Sequence, residues 1–191
     1  DLSTLKSVEV LKGPASSLYG SDALGGLVSY QSLYPEDLLG ADETFKIEIP
    51  VKFDGSSNQT SGTTRVAVRD DNGGVEAVLV TTLSYGEEDN VKADDKYIDD
   101  SEITKKNIYT NIVKNIDDYS RFNFIYENVD TKRDTNQAKA RLSSSYSSIE
   151  EDVDINRWMG QLGYEYENQN SGQLFDYAKV NLYVQDAEWN D

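Results

Sequence analysis

The sequence contains no cysteine and no histidine in 191 residues. Without thiols there is neither a disulfide framework nor a thiolate metal site. Without imidazole, the usual catalytic triads, His-centred acid–base chemistry and His-ligated metals are excluded. Basic residues are scarce too: 18 Lys and Arg stand against 35 Asp and Glu, a formal net charge of −17. A nucleic-acid partner held on a basic face is therefore dropped. No long apolar run occurs, and a transmembrane helix needs about 20 such residues. That absence leaves a transmembrane β-barrel open, because barrel strands alternate an apolar outward residue with a polar inward one and average out as polar. The length fits one domain of roughly 100–200 residues. A start at Asp1, with neither Met nor a leader, predicts a processed or truncated N-terminus.

Residues 1–31 differ in texture from the rest. Val8 to Leu11 reads as a short strand stopped by Gly13-Pro14. A brief helical turn over residues 15–18 follows, ending at Gly20, and Gly25-Gly26 admits a close backbone approach before a strand over residues 27–31. Residues 32–44 read as a connector. From Phe45 onward the period is two. Phe45, Ile47, Ile49, Val51 and Phe53 alternate with polar residues, and so do Thr64/Val66/Val68, Val75/Ala77/Leu79/Leu83/Tyr85 and Ile108/Ile112/Ile116. Phe122/Phe124/Tyr126, Trp158/Leu162/Tyr164/Tyr166 and Ala178/Val180/Leu182/Val184 complete seven candidate strands, each close to the ~9–11 residues that cross a bilayer at a tilt. Short Asp-, Asn- and Gly-rich turns at 71–74, 117–118 and 168–172 alternate with longer polar segments at 54–62, 86–106 and 131–154. An outer-membrane barrel alternates its connections in this way, and a soluble acidic β-sandwich that binds a protein or carbohydrate through its loops shares the strand pattern.

The run from Val8 to Val28, with its Leu-Lys-Gly-Pro turn and Leu18-Tyr19-Gly20-Ser21-Asp22-Ala23-Leu24-Gly25-Gly26 stretch, resembles the plug segment of TonB-dependent outer-membrane receptors. Residues 35–39, 74–79 and 85–90 are similar to the plug-to-barrel connector and first barrel strands of the haemoglobin, transferrin and lactoferrin receptor branch. The resemblance implies an all-β, mainly antiparallel fold: the C-terminal part of a plug (1–31), a connector (32–44) and about seven N-terminal strands of a 22-stranded barrel (45–191). It also implies energised uptake of an iron source across the Gram-negative outer membrane, most naturally haem or haem from haemoglobin, with a ferric-siderophore or cobalamin receptor as the alternative. Partners would be outer-membrane lipid, a haem-carrying protein and, through an N-terminal segment not in this chain, the inner-membrane TonB complex. Haem would be cargo; no cofactor and no enzymatic activity are expected. Seven strands leave two unpaired edges, which hydrocarbon does not tolerate, so insertion and transport by this stretch alone are not expected.

Within the resemblance, Glu9, Lys12, Gly13, Pro14, Tyr19, Gly20, Asp22, Gly25 and Gly26 are the plug-motif positions, with the glycines and proline carrying backbone shape. Lys12 replaces the arginine common at this point, and Lys lacks the fork that grips a carboxylate bidentately. The orientation implied by the family turns Arg65, Arg69, Glu76, Arg121 and Arg157 into the lumen, together with Lys46, Lys52 and Lys179, as candidates for plug contact; a solvated lumen wall is the plainer reading. Tyrosine can bind haem iron, and Tyr19 and Tyr30 lie in the plug portion, but 13 tyrosines are what interfacial girdles require. The acidic stretch from Glu87 to Glu102 lacks calcium-loop spacing, and Glu150-Glu151 has no pocket signal around it for glycoside chemistry.

Overall fold

A computed structural model describes residues 2–12, 26–55, 58–70, 72, 74–89, 100–138, 148–168 and 176–190. Among them there is no α-helix: ten strands are accompanied by two 3-10 turns, Leu2–Thr4 and Pro35–Asp37. Strands β1 (Leu5–Lys12) and β2 (Gly26–Ser32) form an antiparallel hairpin of their own. The rest is one antiparallel meander: β3 (Phe45–Glu48), β4 (Val51–Asp54), β5 (Gln59–Arg69), β6 (Val75–Asp89), β7 (Asp100–Asn115), β8 (Ser120–Ala138), β9 (Ser148–Glu167) and β10 (Tyr177–Asn190). The order is β10-β9-β8-β7-β6-β5-β3, with β4 also paired to β5. From β4 to β10 each strand lies beside its neighbour in sequence, with β3 sharing the β5 edge with β4, as in the wall of an up-and-down barrel.

Two strand expectations change in detail. The strand expected over 45–53 is broken into β3 and β4, because Pro50 has no N–H to give the ladder; its carbonyl still accepts from Thr63 N at 2.9 Å, so both pieces stay on β5. The described parts of the polar segments at 54–62, 86–106 and 131–154 are largely strand: β5 starts at Gln59, β6 and β7 stay paired as far as Asp89 and Asp100, and β8 and β9 as far as Ala138 and Ser148. Strands therefore run to 19 and 20 residues in β8 and β9 instead of about ten. Backbone pairing continues where the side chains are polar on both faces and no period marks the strand. Ile116 lies just past the end of β7, and the helical turn read over 15–18 falls outside the described residues.

Register converts the alternation into two faces. Phe45, Val68, Ala77, Ile112, Phe124, Leu162 and Leu182 are successive cross-strand partners, so one row of apolar side chains crosses the whole sheet. A neighbouring row runs Ile47, Val66, Leu79, Thr110, Tyr126, Gly160, Val184. On the other side of the first, Phe122 and Tyr164 pack with ring centroids 5.0 Å apart. Most of these large apolar residues are exposed, from Val68, Ile112 and Phe122 at 42% to Leu182 at 68%. The opposite face is covered and rich in polar groups: Thr63, Thr82, Ser84, Asn107, Asn111 and Asn123 are buried there beside Ala67, Val78, Val80, Tyr109 and Ile125. A water-soluble sheet puts its apolar face inward; here the apolar face is the bare one.

The hairpin depends on one glycine. Gly26 has φ +140°, and a Cβ there would sit 2.6 Å from the Leu11 carbonyl oxygen, in a backbone region that side chains rarely adopt. Gly26→Ala is expected to cost the hairpin about 2 kcal/mol, roughly a thirtyfold rise in amide exchange across β1 and β2 with β6–β8 unchanged.

Candidate functional site on the inner face of the sheet

The covered face is a docking surface for two stretches of the chain, residues 2–4 and 33–43. Leu33 is the centre. Its carbonyl accepts from the Tyr109 hydroxyl at 2.6 Å and from Asn111 Nδ2 at 3.1 Å, while its N–H donates to Thr4 O at 3.0 Å. Its side chain and that of Leu39 are buried with Ala67, Val78, Val80, Tyr109 and Ile125. The short turn at Leu2–Thr4 is held by hydroxyls and charge: Ser3 and Thr82 share a hydrogen bond at 2.8 Å, Thr4 Oγ1 donates to Glu127 at 3.3 Å, and Arg65 donates to Ser3 O at 3.2 Å.

Three cations of the sheet clamp the connector. Arg69 donates through one nitrogen to the carbonyls of Gly40, Ala41 and Glu43 at 3.0–3.3 Å, and through Nε to Glu76 at 3.1 Å. Arg121 joins Glu36 of the connector to Glu165 of β9, and its guanidinium carbon lies 5.3 Å from the centre of the Tyr34 ring. Lys46 donates to Leu38 O at 2.9 Å, and Arg65 sits 3.6 Å from Glu48. From the hairpin side, Lys6 lies 2.7 Å from Asp37. The hydrogen bond and charge of Asp37 hold that ammonium above its usual pKa. Asp37 also accepts from Tyr34 N at 2.8 Å, which closes the turn at Pro35–Asp37.

Of the residues expected to face the lumen, Arg65, Arg69 and Arg121 do reach the covering segments, Arg65 at residue 3 and the other two in the connector. Glu76 and Arg157 do not; they pair within the sheet, to Arg69 and to Glu127 at 3.4 Å. Lys179 lies 3.8 Å from Glu165. Among the plug-motif positions, Glu9 accepts from Gln31 across the hairpin at 3.2 Å and Lys12 pairs with Gly26. Lys12 makes no ion pair among the described residues. Gly13, Pro14, Tyr19, Gly20, Asp22 and Gly25 lie outside them, as does most of the acidic stretch before Glu102. Sequence reasoning missed Tyr109, Asn107, Asn111, Asn123 and Glu127. Their signal was the polar side of β7 and β8, alternating with Ile108, Ile112, Phe122 and Phe124. Asn107 Oδ1, Asn111 Oδ1, Asn123 Nδ2 and Arg65 Nε are buried without a protein partner among the described residues, so the joint between cover and sheet retains unfilled hydrogen-bond capacity.

Residues 1–27, which include the turn at Leu2–Thr4 and β1, match the family model of the TonB-dependent receptor plug domain. Over this stretch the chain is similar to the TonB-dependent receptors. Its relatives lie on the haem and transferrin branch. It is 33% identical to transferrin-binding protein A of Neisseria meningitidis serogroup B over 84 residues, 44% of this chain and 9% of that protein. It is 39% identical to heme/hemopexin utilization protein C of Haemophilus influenzae over 57 residues, 30% of this chain and 8% of that protein. A hemin receptor of Yersinia enterocolitica is 25% identical along 95% of this chain, a stretch that makes up 27% of the receptor. The chain thus spans about a quarter or less of these relatives. The plug-matched stretch includes the turn at Leu2–Thr4, which the inner face described above holds through Thr82, Glu127 and Arg65.

Proposed function

We propose that this chain forms the plug-to-barrel joint of an outer-membrane receptor that takes up an iron source with energy relayed by the TonB complex, and that the iron source is haem or haem from haemoglobin. The observation that carries the transport reading is the two-faced sheet: apolar rows on the bare side, suited to lipid, and a polar side on which a plug-matched segment sits. The haem reading is supported by relatives whose names are heme/hemopexin utilization protein and hemin receptor. Haem enters as cargo, and with no histidine in the chain any imidazole ligand to its iron comes from elsewhere.

The joint suits a segment that must hold at rest and yield to a pull. Its links are hydrogen bonds and partly exposed ion pairs, each worth only about 0.5–1.5 kcal/mol net because water replaces the partner on release. The barrel wall, by contrast, is knit by continuous ladders from β3 to β10, and in hydrocarbon a lost backbone bond has no water to replace it. Force applied through the plug therefore parts the joint before the wall. The test is growth: a receptor-deleted Gram-negative host carrying the full-length receptor gene that contains this stretch is expected to grow on haem or haemoglobin as sole iron source. Rescue on ferric siderophore alone would overturn the haem reading, and no rescue on any iron source would overturn the uptake reading.

A further inference from the structure

Beside the turn at Leu2–Thr4, a cleft of about 620 Å³ opens on the inner face of β4–β8. Its lining holds four cations, Lys52, Arg65, Lys105 and Lys106, and no carboxylate. In a chain of net charge −17 an acid-free basic cleft is not a product of composition. Register explains how it is built: Lys52 pairs with Ser61, Ser61 with Ser84 and Ser84 with Lys105, so two ammonium groups flank two hydroxyls on one row. Three inter-strand steps of about 4.8 Å set the two lysine backbones roughly 14 Å apart. Arg65 lies four residues along β5 from Ser61, and its Nε is buried without a partner among the described residues. Of the nearby carboxylates, Glu48 lies 3.6 Å from Arg65 and partly neutralises that one cation of the cleft, while Glu127 is engaged on Thr4, Asn107 and Arg157. Lys52 and Lys105 have no ion-pair partner among the described residues.

We infer that this cleft is an anion station that takes a small molecule bearing two or more carboxylates. Resting on the haem reading above, the ligand is an anionic porphyrin whose carboxylates meet Lys52 and Lys105 with the serine hydroxyls between them. The volume is that of an ordinary ligand pocket, about 300–1,000 Å³. Two lysine ammonium groups flanking the serine hydroxyls, in a lining without a carboxylate, favour a carboxylate over a neutral ligand.

The test titrates the 191-residue chain in detergent micelles with metal-free mesoporphyrin IX, with its dimethyl ester and with ferric citrate, following porphyrin fluorescence and, for citrate, equilibrium dialysis. Omitting the metal from the porphyrin separates carboxylate binding from iron ligation. The diacid is expected to bind at least tenfold tighter than the diester, to weaken about tenfold in the Lys52→Gln/Lys105→Gln variant, and to recover in Lys52→Arg/Lys105→Arg, with strand circular dichroism unchanged throughout. If ferric citrate binds with that lysine dependence and the porphyrin does not, the anion station stands and the haem reading falls. Equal binding of diacid and diester, no effect of the glutamine pair, or no binding of any probe overturns the station; growth on haem then still tests the uptake reading separately.

Discussion

Leu79→Arg is expected to destabilise the protein in a lipid-like environment by about 2–4 kcal/mol, the cost of an arginine near mid-depth on the lipid face of a barrel. Leu79 is 44% exposed on β6, between Val66 and Thr110 in register and one row from the unbroken apolar row through Ala77 and Ile112. On a soluble sheet the same change, at an exposed site, would fall within about 0.5 kcal/mol of zero. The two readings of the period-two pattern therefore differ in outcome by a large factor. Thr60→Arg serves as the control: it is exposed on the same face at the far end of β5, between Phe53 and Tyr85, where the cost drops to about 0–1 kcal/mol. Urea unfolding of the chain in detergent micelles, followed by tryptophan fluorescence, gives both values.

Arg69→Ala carries the second large effect, about 3 kcal/mol, and it acts on the joint. The side chain fills two roles at once: it neutralises Glu76, whose own side chain is only 12% exposed, and it satisfies three connector carbonyls. Removing it leaves a mostly buried carboxylate uncompensated, which is the costly way to break an ion pair. Lysine keeps a charge near Glu76 but has no planar fork to serve carboxylate and carbonyls together, so Arg69→Lys is expected to lose most of the connector's protection while sparing much of the stability. Adding Glu76→Ala to Arg69→Ala should return part of the loss, because the stranded charge is gone. Denaturant midpoints report the stability, and hydrogen exchange at the Leu39 and Glu43 amides, which donate to Pro35 and Gly40 carbonyls, reports the connector.

How much of this was readable in the sequence follows from the range of the forces involved. The outward rows were legible because Val75, Ala77, Leu79 and Leu83 repeat at the pleat's own period within a single segment. The break at Pro50 was written in the chain too, and reading through it joined β3 to β4. The ends of the long strands were not legible: Glu87–Asp89 and Asp100–Glu102 are all polar, and β6 and β7 persist there through backbone pairing that leaves no side-chain period. The joint was half legible. Arg65, Arg69 and Arg121 stood out as cations opposite apolar residues. What they hold did not, because the partners are distant in sequence: Tyr109 meets Leu33 across 76 residues, and Asn111 across 78. Glu76 and Arg157 looked the same as those three in sequence yet pair within the sheet, since an alternating pattern gives the face of a side chain and not its partner.

The absence of cysteine makes the central claim directly measurable, because a single introduced cysteine is the only labelling site in the chain. Nitroxide labels placed one at a time at residues 77 to 84 of β6, in the chain in detergent micelles, report collision with oxygen, which concentrates in hydrocarbon, and with a water-soluble nickel chelate. A period of two is expected: oxygen contact high and nickel contact low at Ala77, Leu79 and Leu83, and both low at Val78 and Val80, which are buried against Leu33 and Leu39. Nickel contact at Ala77, Leu79 and Leu83 as high as at an exposed polar site would mean that the apolar rows face water, and would contradict the receptor account at its base.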